Sequence, residues 1–115
     1  MGNRNTRGPS LHLAYWNKGP SYLVNKKLDV TSVIAKYKPD VLGLGEANFK
    51  PGHNLQDSHQ DGYTLHLGPG LDSLGVARVA AYVRDGLKVK RQRELEGGNV
   101  CTIWLQVGLP NKPGA

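Results

Sequence analysis

Apolar residues along this chain fall in short runs separated by polar, glycine-containing stretches, and the period within each run sets the element it predicts. Residues 11–16, Leu-His-Leu-Ala-Tyr-Trp, are rich in strand formers and read as a first strand. Asn17-Lys18-Gly19-Pro20 ends it, because a prolyl nitrogen cannot donate to a ladder and glycine relaxes the backbone. From 25 to 38 the period becomes helical: Val30, Val33, Ile34 and Tyr37 stand at i, i+3, i+4 and i+7 and share one face. Asn25 is placed to act as the N-cap, and Pro39 drives Lys38 out of the helical region and stops the helix. Val41-Leu42-Gly43-Leu44-Gly45 is apolar on both faces, as a strand is when helices cover its sheet. Strand, helix and strand in so short a span predict a right-handed parallel crossover.

A polar loop containing Gly and His follows at 48–62, and further strands are predicted at 63–67, 76–84, 87–93 and 100–107. Arg84-Asp85-Gly86 reads as a tight hairpin between two of these strands, and Glu96-Gly97-Gly98-Asn99 as the hairpin between the next pair. In the last strand Cys101, Ile103, Leu105 and Val107 would share one face, with Thr102, Trp104 and Gln106 on the other. No internal repeat or low-complexity tract interrupts the pattern. The fold class is α/β, one sheet with a helix packed on it.

Composition narrows the function classes. Of 115 residues, 38% are hydrophobic and 21% charged, which excludes a wholly disordered chain and allows one domain at most. Lys and Arg total 15 against 9 Asp and Glu, a net charge of +6 that favours a polyanionic partner. No apolar stretch approaches the roughly 20 residues of a membrane-spanning helix, so no span is expected. Cys101 is the single cysteine, which excludes an internal disulfide and fits a reducing compartment; the expected location is intracellular, nuclear or cytoplasmic. Residues 1–10 read as a flexible basic lead-in. Met1-Gly2 and Thr6 satisfy the loose N-myristoylation pattern there, although an ordinary polar tail is the commoner explanation of so short a match. Residues 109–115 are turn chemistry, so the chain is expected to be interrupted just after a strand.

Glu46 is the first residue that composition does not explain. It stands at the carboxyl end of the most apolar strand, where open α/β sheets bind ligands, and is a candidate metal ligand or general base. An exposed strand-to-loop residue is the equal alternative. Asn17 holds the equivalent place after the first strand, so the two would emerge side by side if those strands are parallel neighbours. An amide beside a carboxylate can orient it, bond a phosphate oxygen or complete the outer shell of a hard cation; alone, Asn17 is a turn residue. His53, Asp57 and His59 cluster in the polar loop as a weak metal signal, with solvated loop residues as the commoner explanation. His12 and His66 alternate with strand apolar residues, and Cys101 reads as a small core residue rather than a nucleophile. Lys88, Lys90, Arg91 and Arg93 form the densest basic segment, with Lys88 and Lys90 on one strand face and Arg91 and Arg93 on the other. That strip is either a solvated edge strand or a nucleic-acid phosphate contact.

Three stretches carry a likeness: Tyr15-Trp16-Asn17, the run Lys-Tyr-Lys-Pro-Asp-Val-Leu-Gly-Leu-Gly-Glu-Ala from Lys36 to Ala47, and Ala-Ala-Tyr-Val-Arg-Asp-Gly-Leu from Ala80 to Leu87. They resemble the endonuclease/exonuclease/phosphatase superfamily, nearest to the apurinic-type endonuclease domain of non-LTR retrotransposons, over nearly all of 11–107. The resemblance implies the amino-terminal half of a four-layer α/β sandwich, with residues 11–115 as a truncated part of that domain. It implies Mg²⁺-dependent phosphodiester hydrolysis, with Mn²⁺ as a substitute ion, Glu46 as the metal ligand and Asn17 on the phosphate. DNA is the implied partner, together with the carboxyl half of the domain and a downstream reverse transcriptase in the parent element. The sequence departs from the family in having no Asp-x-Asn tripeptide and no Asp-His pair near its end. The expectation is therefore a fragment of a DNA-nicking endonuclease that is inactive alone. The alternatives are a non-catalytic basic nucleic-acid-binding module, an inert retroelement relic, or a phosphatase of the same superfamily.

Overall fold

A computed structural model describes residues 11–17, 19–71, 73–99 and 101–109. The lead-in at 1–10 with its acylation pattern, and the turn chemistry from 110 onward, lie outside the described residues. Strand β1 (Leu13–Asn17), helix α1 (Lys27–Tyr37) and strand β2 (Val41–Gly45) form the predicted crossover, with β1 and β2 parallel. Strands β3 (Tyr63–Leu67) and β4 (Ala80–Arg84) complete a four-stranded sheet in the order β1-β2-β4-β3, β4 running antiparallel to both neighbours. Strand β5 (Lys88–Arg91), the short helix α2 (Arg93–Glu96) and strand β6 (Leu105–Gly108) follow, and β5 pairs with β6 in a separate antiparallel ribbon. The class is α/β. Among the described residues no helix is long and apolar enough to cross a membrane.

One sheet face carries the core. Leu23, Val30, Leu42, Leu44, Ala47, Ala80 and Tyr82 are buried together, with Val33 and Ile34 of α1 packed against them. Tyr37, the fourth residue of the predicted helical stripe, is 60% exposed. The opposite face is open along β1, where Leu13 is 72% and Tyr15 69% exposed. Farther across that face, Ile103, Leu105 and Val107 approach Leu13, Val41, Gly43 and Ala81 around an apolar groove of about 380 Å³.

Five sequence expectations change. Asn25 does not cap α1. It ends a 3-10 turn at Leu23–Asn25, and Lys26 takes the cap position, because Leu23 is drawn into the core and its N–H donates to the Ala47 carbonyl at 2.9 Å. Arg84-Asp85-Gly86 is a turn but not a hairpin. Both edges of β4 are already occupied by β2 and β3, so β5 has no edge to join and leaves the sheet. The turn is tied to β3 instead: Thr64 Oγ1 donates to Asp85 Oδ1 at 2.7 Å and Asp85 N–H to the Gly62 carbonyl.

The strands predicted at 76–84 and 100–107 are shorter. Before β4 only an isolated bridge pairs Ala77 with Phe49. Before β6, side chains satisfy the backbone: Asn99 Oδ1 accepts from Cys101 N–H and the Glu96 carboxylate from Trp104 N–H. The β5–β6 pairing holds, but across a connection containing α2 rather than a tight turn at 96–99.

The ribbon is tied to the main sheet by an arginine that a buried carboxylate within the ribbon holds in place. Arg91 engages Glu96 with two guanidinium nitrogens and donates from Nη1 to the Leu67 carbonyl at 2.7 Å. That bidentate pairing outweighs the cost of burial and holds the Glu96 carboxyl below its usual range. At the other end Asp40 accepts from His12 N–H at 2.8 Å and from Arg84, which locks the amino end of β1 to β4. The His12 bond foremost, with Arg84, likewise lowers the Asp40 carboxyl.

Candidate functional site

The parallel register sets Asn17 opposite Gly45, so the residue after β2, Glu46, emerges beside the end of β1. This is the juxtaposition expected from sequence. Gly45 gives the two side chains of β1 room there: a Cβ at that position would meet the Tyr15 hydroxyl, at the end of an exposed side chain, and would lie 3.4 Å from Asn17 Nδ2. The Asn17 amide therefore lies over the backbone that delivers Glu46. Its Oδ1 accepts from Gly19 N–H at 3.1 Å, which fixes the carbonyl toward its own turn and leaves Nδ2 as the outward donor.

A bulge turns Glu46 off the sheet. Leu44 pairs with Ala80, and Ala47 N–H donates to the Arg78 carbonyl at 2.7 Å, so Gly45 and Glu46 together oppose the single residue Val79. Glu46 takes φ +55°, the left-handed region, which costs a residue with a Cβ about 1–2 kcal/mol. The flanks over-determine that conformation. Leu23 N–H donates to the Ala47 carbonyl, Phe49 and Ala77 exchange backbone bonds, and Asn48 Nδ2 donates to the Pro20 carbonyl at 3.3 Å. The Glu46 side chain is exposed, and among the described residues nothing pairs with its carboxylate. A strained backbone held rigidly under an unpaired acid is spending stability on the direction of one side chain.

One exposed carboxylate and one amide donor fit a small hard cation with a phosphate. Mg²⁺ is commonly held by one or two carboxylates, with water and phosphate oxygens filling its other positions. Among the described residues no group of three or more His, Cys, Asp or Glu side chains comes together. His53, Asp57 and His59 do not form a site. His53 Nδ1 accepts from Lys50 N–H at 3.0 Å, and His59 Nε2 faces Asp61 Oδ1 at 3.1 Å. His12 is exposed, while burial, with the Arg91 charge second, lowers the pKa of half-buried His66. Cys101 is exposed in a turn, not a core residue, because β6 begins only at Leu105.

The basic strip divides. Lys88 and Lys90 lie on the exposed side of β5, alternating with the more enclosed Val89 and Arg91. Arg91 is taken up by Glu96 and Leu67, and Arg93 opens α2 rather than continuing the strand, so the pair is no longer one face of a strand. Both line, with His66, Gly68, Gly70 and Ser73, a concavity of about 500 Å³.

Sequence reasoning missed Tyr22 and Lys50. The Lys50 ammonium lies 5.0 Å from the Tyr22 ring centroid, and the His53 ring meets Tyr22 edge-on at 5.1 Å. These residues belong to irregular segments, where no period marks a shared face. No protein-family model, curated protein or solved structure matches the chain.

Proposed function

We propose that this chain provides the metal-holding, phosphate-contacting edge of a Mg²⁺-dependent DNA endonuclease of the endonuclease/exonuclease/phosphatase type. The observation that carries the reading is the placement of Asn17 and Glu46 at adjacent carboxyl ends of two parallel strands, with Glu46 held at positive φ and without a partner among the described residues. The layering is compatible with it: α1 covers one face of the four-stranded sheet, and the separate β5–β6 ribbon approaches the other face, where the sequence pattern predicts a single sheet.

In this reading the Glu46 carboxylate takes one position on Mg²⁺, or on Mn²⁺ in its place. The ion would neutralise charge developing on the scissile phosphate and steady the leaving oxygen. Asn17 Nδ2 donates to a non-bridging phosphate oxygen, and the Gly19 bond keeps that amide from turning its carbonyl toward the anion. Activation of water falls to Asp and His groups for which this sequence has no Asp-x-Asn motif, so this chain alone is expected not to nick DNA.

The test is a chimera in which residues 11–109 replace the corresponding amino-terminal part of an active superfamily endonuclease. Mg²⁺-dependent nicking of supercoiled plasmid that falls at least a hundredfold in Glu46→Ala supports the reading, about 3 kcal/mol of barrier at roughly 1.4 kcal/mol per factor of ten. Equal nicking without Glu46 overturns it. The exposed placement of Lys88 and Lys90 favours a second reading, a non-catalytic basic module. That reading gains if DNA affinity depends on those lysines and is indifferent to both Mg²⁺ and Glu46.

A further inference from the structure

The irregular segments that follow β1 and β2 are stitched together just beyond Asn17 and Glu46. Leu23 N–H donates to the Ala47 carbonyl at 2.9 Å, and Asn48 Nδ2 to the Pro20 carbonyl at 3.3 Å. On this stitched platform stand Tyr22, Phe49, Lys50 and His53. Phe49 is buried and anchors the group, its ring meeting His53 edge-on at 5.5 Å. His53 also meets Tyr22, and its Nδ1 accepts from Lys50 N–H, so the neutral ring carries its proton on Nε2. The Lys50 ammonium rests over the Tyr22 ring. Among the described residues no carboxylate pairs with Lys50 and no acceptor meets His53 Nε2.

A loop lysine normally sweeps a wide volume and contacts anions as a loose point charge. Here an aromatic face confines the cation, and an N–H donor of fixed tautomer stands beside the same ring. A cation and an N–H donor, both without acceptors and both pre-positioned, match an anion with several oxygen acceptors. Among the described residues, the acid that the same backbone brings to this edge is Glu46, which the nuclease reading assigns to the metal.

We propose that Lys50 and His53, held by Tyr22 and Phe49, form a second phosphate-binding position that takes a backbone phosphate of the DNA strand flanking the one at Asn17 and Glu46. This rests on the nuclease reading for the identity of the polyanion. It assigns the strand-positioning role to the loop after β2 rather than to the Lys88–Arg93 strip.

The 115-residue chain and a short duplex DNA probe test this by fluorescence anisotropy over a range of salt. Each phosphate contact contributes about 0.9 to the slope of log affinity against log salt. Lys50→Gln is expected to lower that slope by about 0.9. Tyr22→Leu, which frees the lysine without removing charge, is expected to weaken binding about two- to fivefold at unchanged slope. Lys36→Gln is the matched control: Lys36 lies 5.2 Å from the Tyr37 ring centroid at the far end of α1, and its loss should leave both readouts unchanged. An unchanged slope in Lys50→Gln, or an equal fall in Lys36→Gln, overturns the proposal. So does an absence of DNA binding by a chain whose Glu46 signals still respond to Mn²⁺, and in that case the metal reading stands while this one fails.

Discussion

Replacing Glu46 with glycine should make the protein more stable while removing the metal ligand proposed above. Glu46 sits at φ +55°. A side chain with a Cβ pays about 1–2 kcal/mol there. Glycine removes that cost but surrenders about 0.5–1 kcal/mol of backbone entropy on folding. At the midpoints of those ranges Glu46→Gly is more stable by about 0.75 kcal/mol, because among the described residues the exposed carboxylate makes no contact whose loss would subtract from it. At about 4–8 °C per kcal/mol for a domain of this size, the melting midpoint rises by about 3–6 °C. Glu46→Ala keeps a Cβ and therefore the strain, and should change stability by less than about 0.5 kcal/mol. Urea unfolding followed by the fluorescence of Trp16 and Trp104 measures all three proteins. Lys38 is the internal reference: it has φ +47° at the end of α1, far from the site, so Lys38→Gly should gain similarly and leave metal binding intact. If Glu46→Ala is clearly less stable than the parent, the fold itself is using the Glu46 side chain and the argument that it is reserved for a ligand fails; if Glu46→Gly gains nothing over Glu46→Ala while Lys38→Gly gains, the backbone at Glu46 is not strained.

Removal of Glu96 should cost about 3–5 kcal/mol, because Arg91 would keep a buried charge without its partner; denaturant midpoints of Glu96→Ala against the parent measure it. Since the folded Glu96 carboxyl titrates below its ordinary value of 4.5, its contribution is complete above that pH and is lost as pH falls through the lower folded value. Asp40 adds to the same slope below 3.8, so thermal melts should fall steeply in acid, and less steeply from pH 4.5 downward once Glu96 is gone. Gly68→Ala should destabilise by about 1–3 kcal/mol, because the added Cβ would stand 2.9 Å from the Val79 carbonyl oxygen, which is backbone and cannot swing aside; calorimetry reads the loss. Tyr82→Phe should cost about 1 kcal/mol in chemical denaturation, as the buried Ser58 carbonyl loses the phenol that donates to it.

The elements written in strong periods were legible in the sequence. Val30, Val33 and Ile34 share the inward face of α1, the two-sided apolar run 41–45 became the central parallel strand, and 63–67 formed a strand at the predicted bounds. Asn17 and Glu46 could be paired from sequence because parallel register follows from the crossover. The misreadings came where a competing partner decided the outcome. Arg84-Asp85-Gly86 has local turn chemistry, but β4 had no free edge left to offer β5, a fact about sheet order that no local window holds. Arg91 carries the same charge as Lys88 and Lys90, yet Glu96, five residues away across α2, turns it into an internal clamp. Cys101 alternates correctly for a strand, but side-chain acceptors at Asn99 and Glu96 captured the backbone around it. The Tyr22–Lys50–His53 group was hidden for a related reason, being assembled by backbone bonds between two irregular segments.

The central claim is that the edge formed by Asn17 and Glu46 holds a divalent metal, and paramagnetic line broadening by Mn²⁺ tests it most directly. Substoichiometric Mn²⁺ added to the isotopically labelled chain should broaden the amide signals of Asn17, Gly45, Glu46 and Ala47 first. Excess Mg²⁺ should restore them, and Glu46→Ala should abolish the effect while the rest of the spectrum is unchanged. Broadening centred instead on His53, Asp57 and His59, or unaltered broadening at Asn17 in Glu46→Ala, would contradict the account.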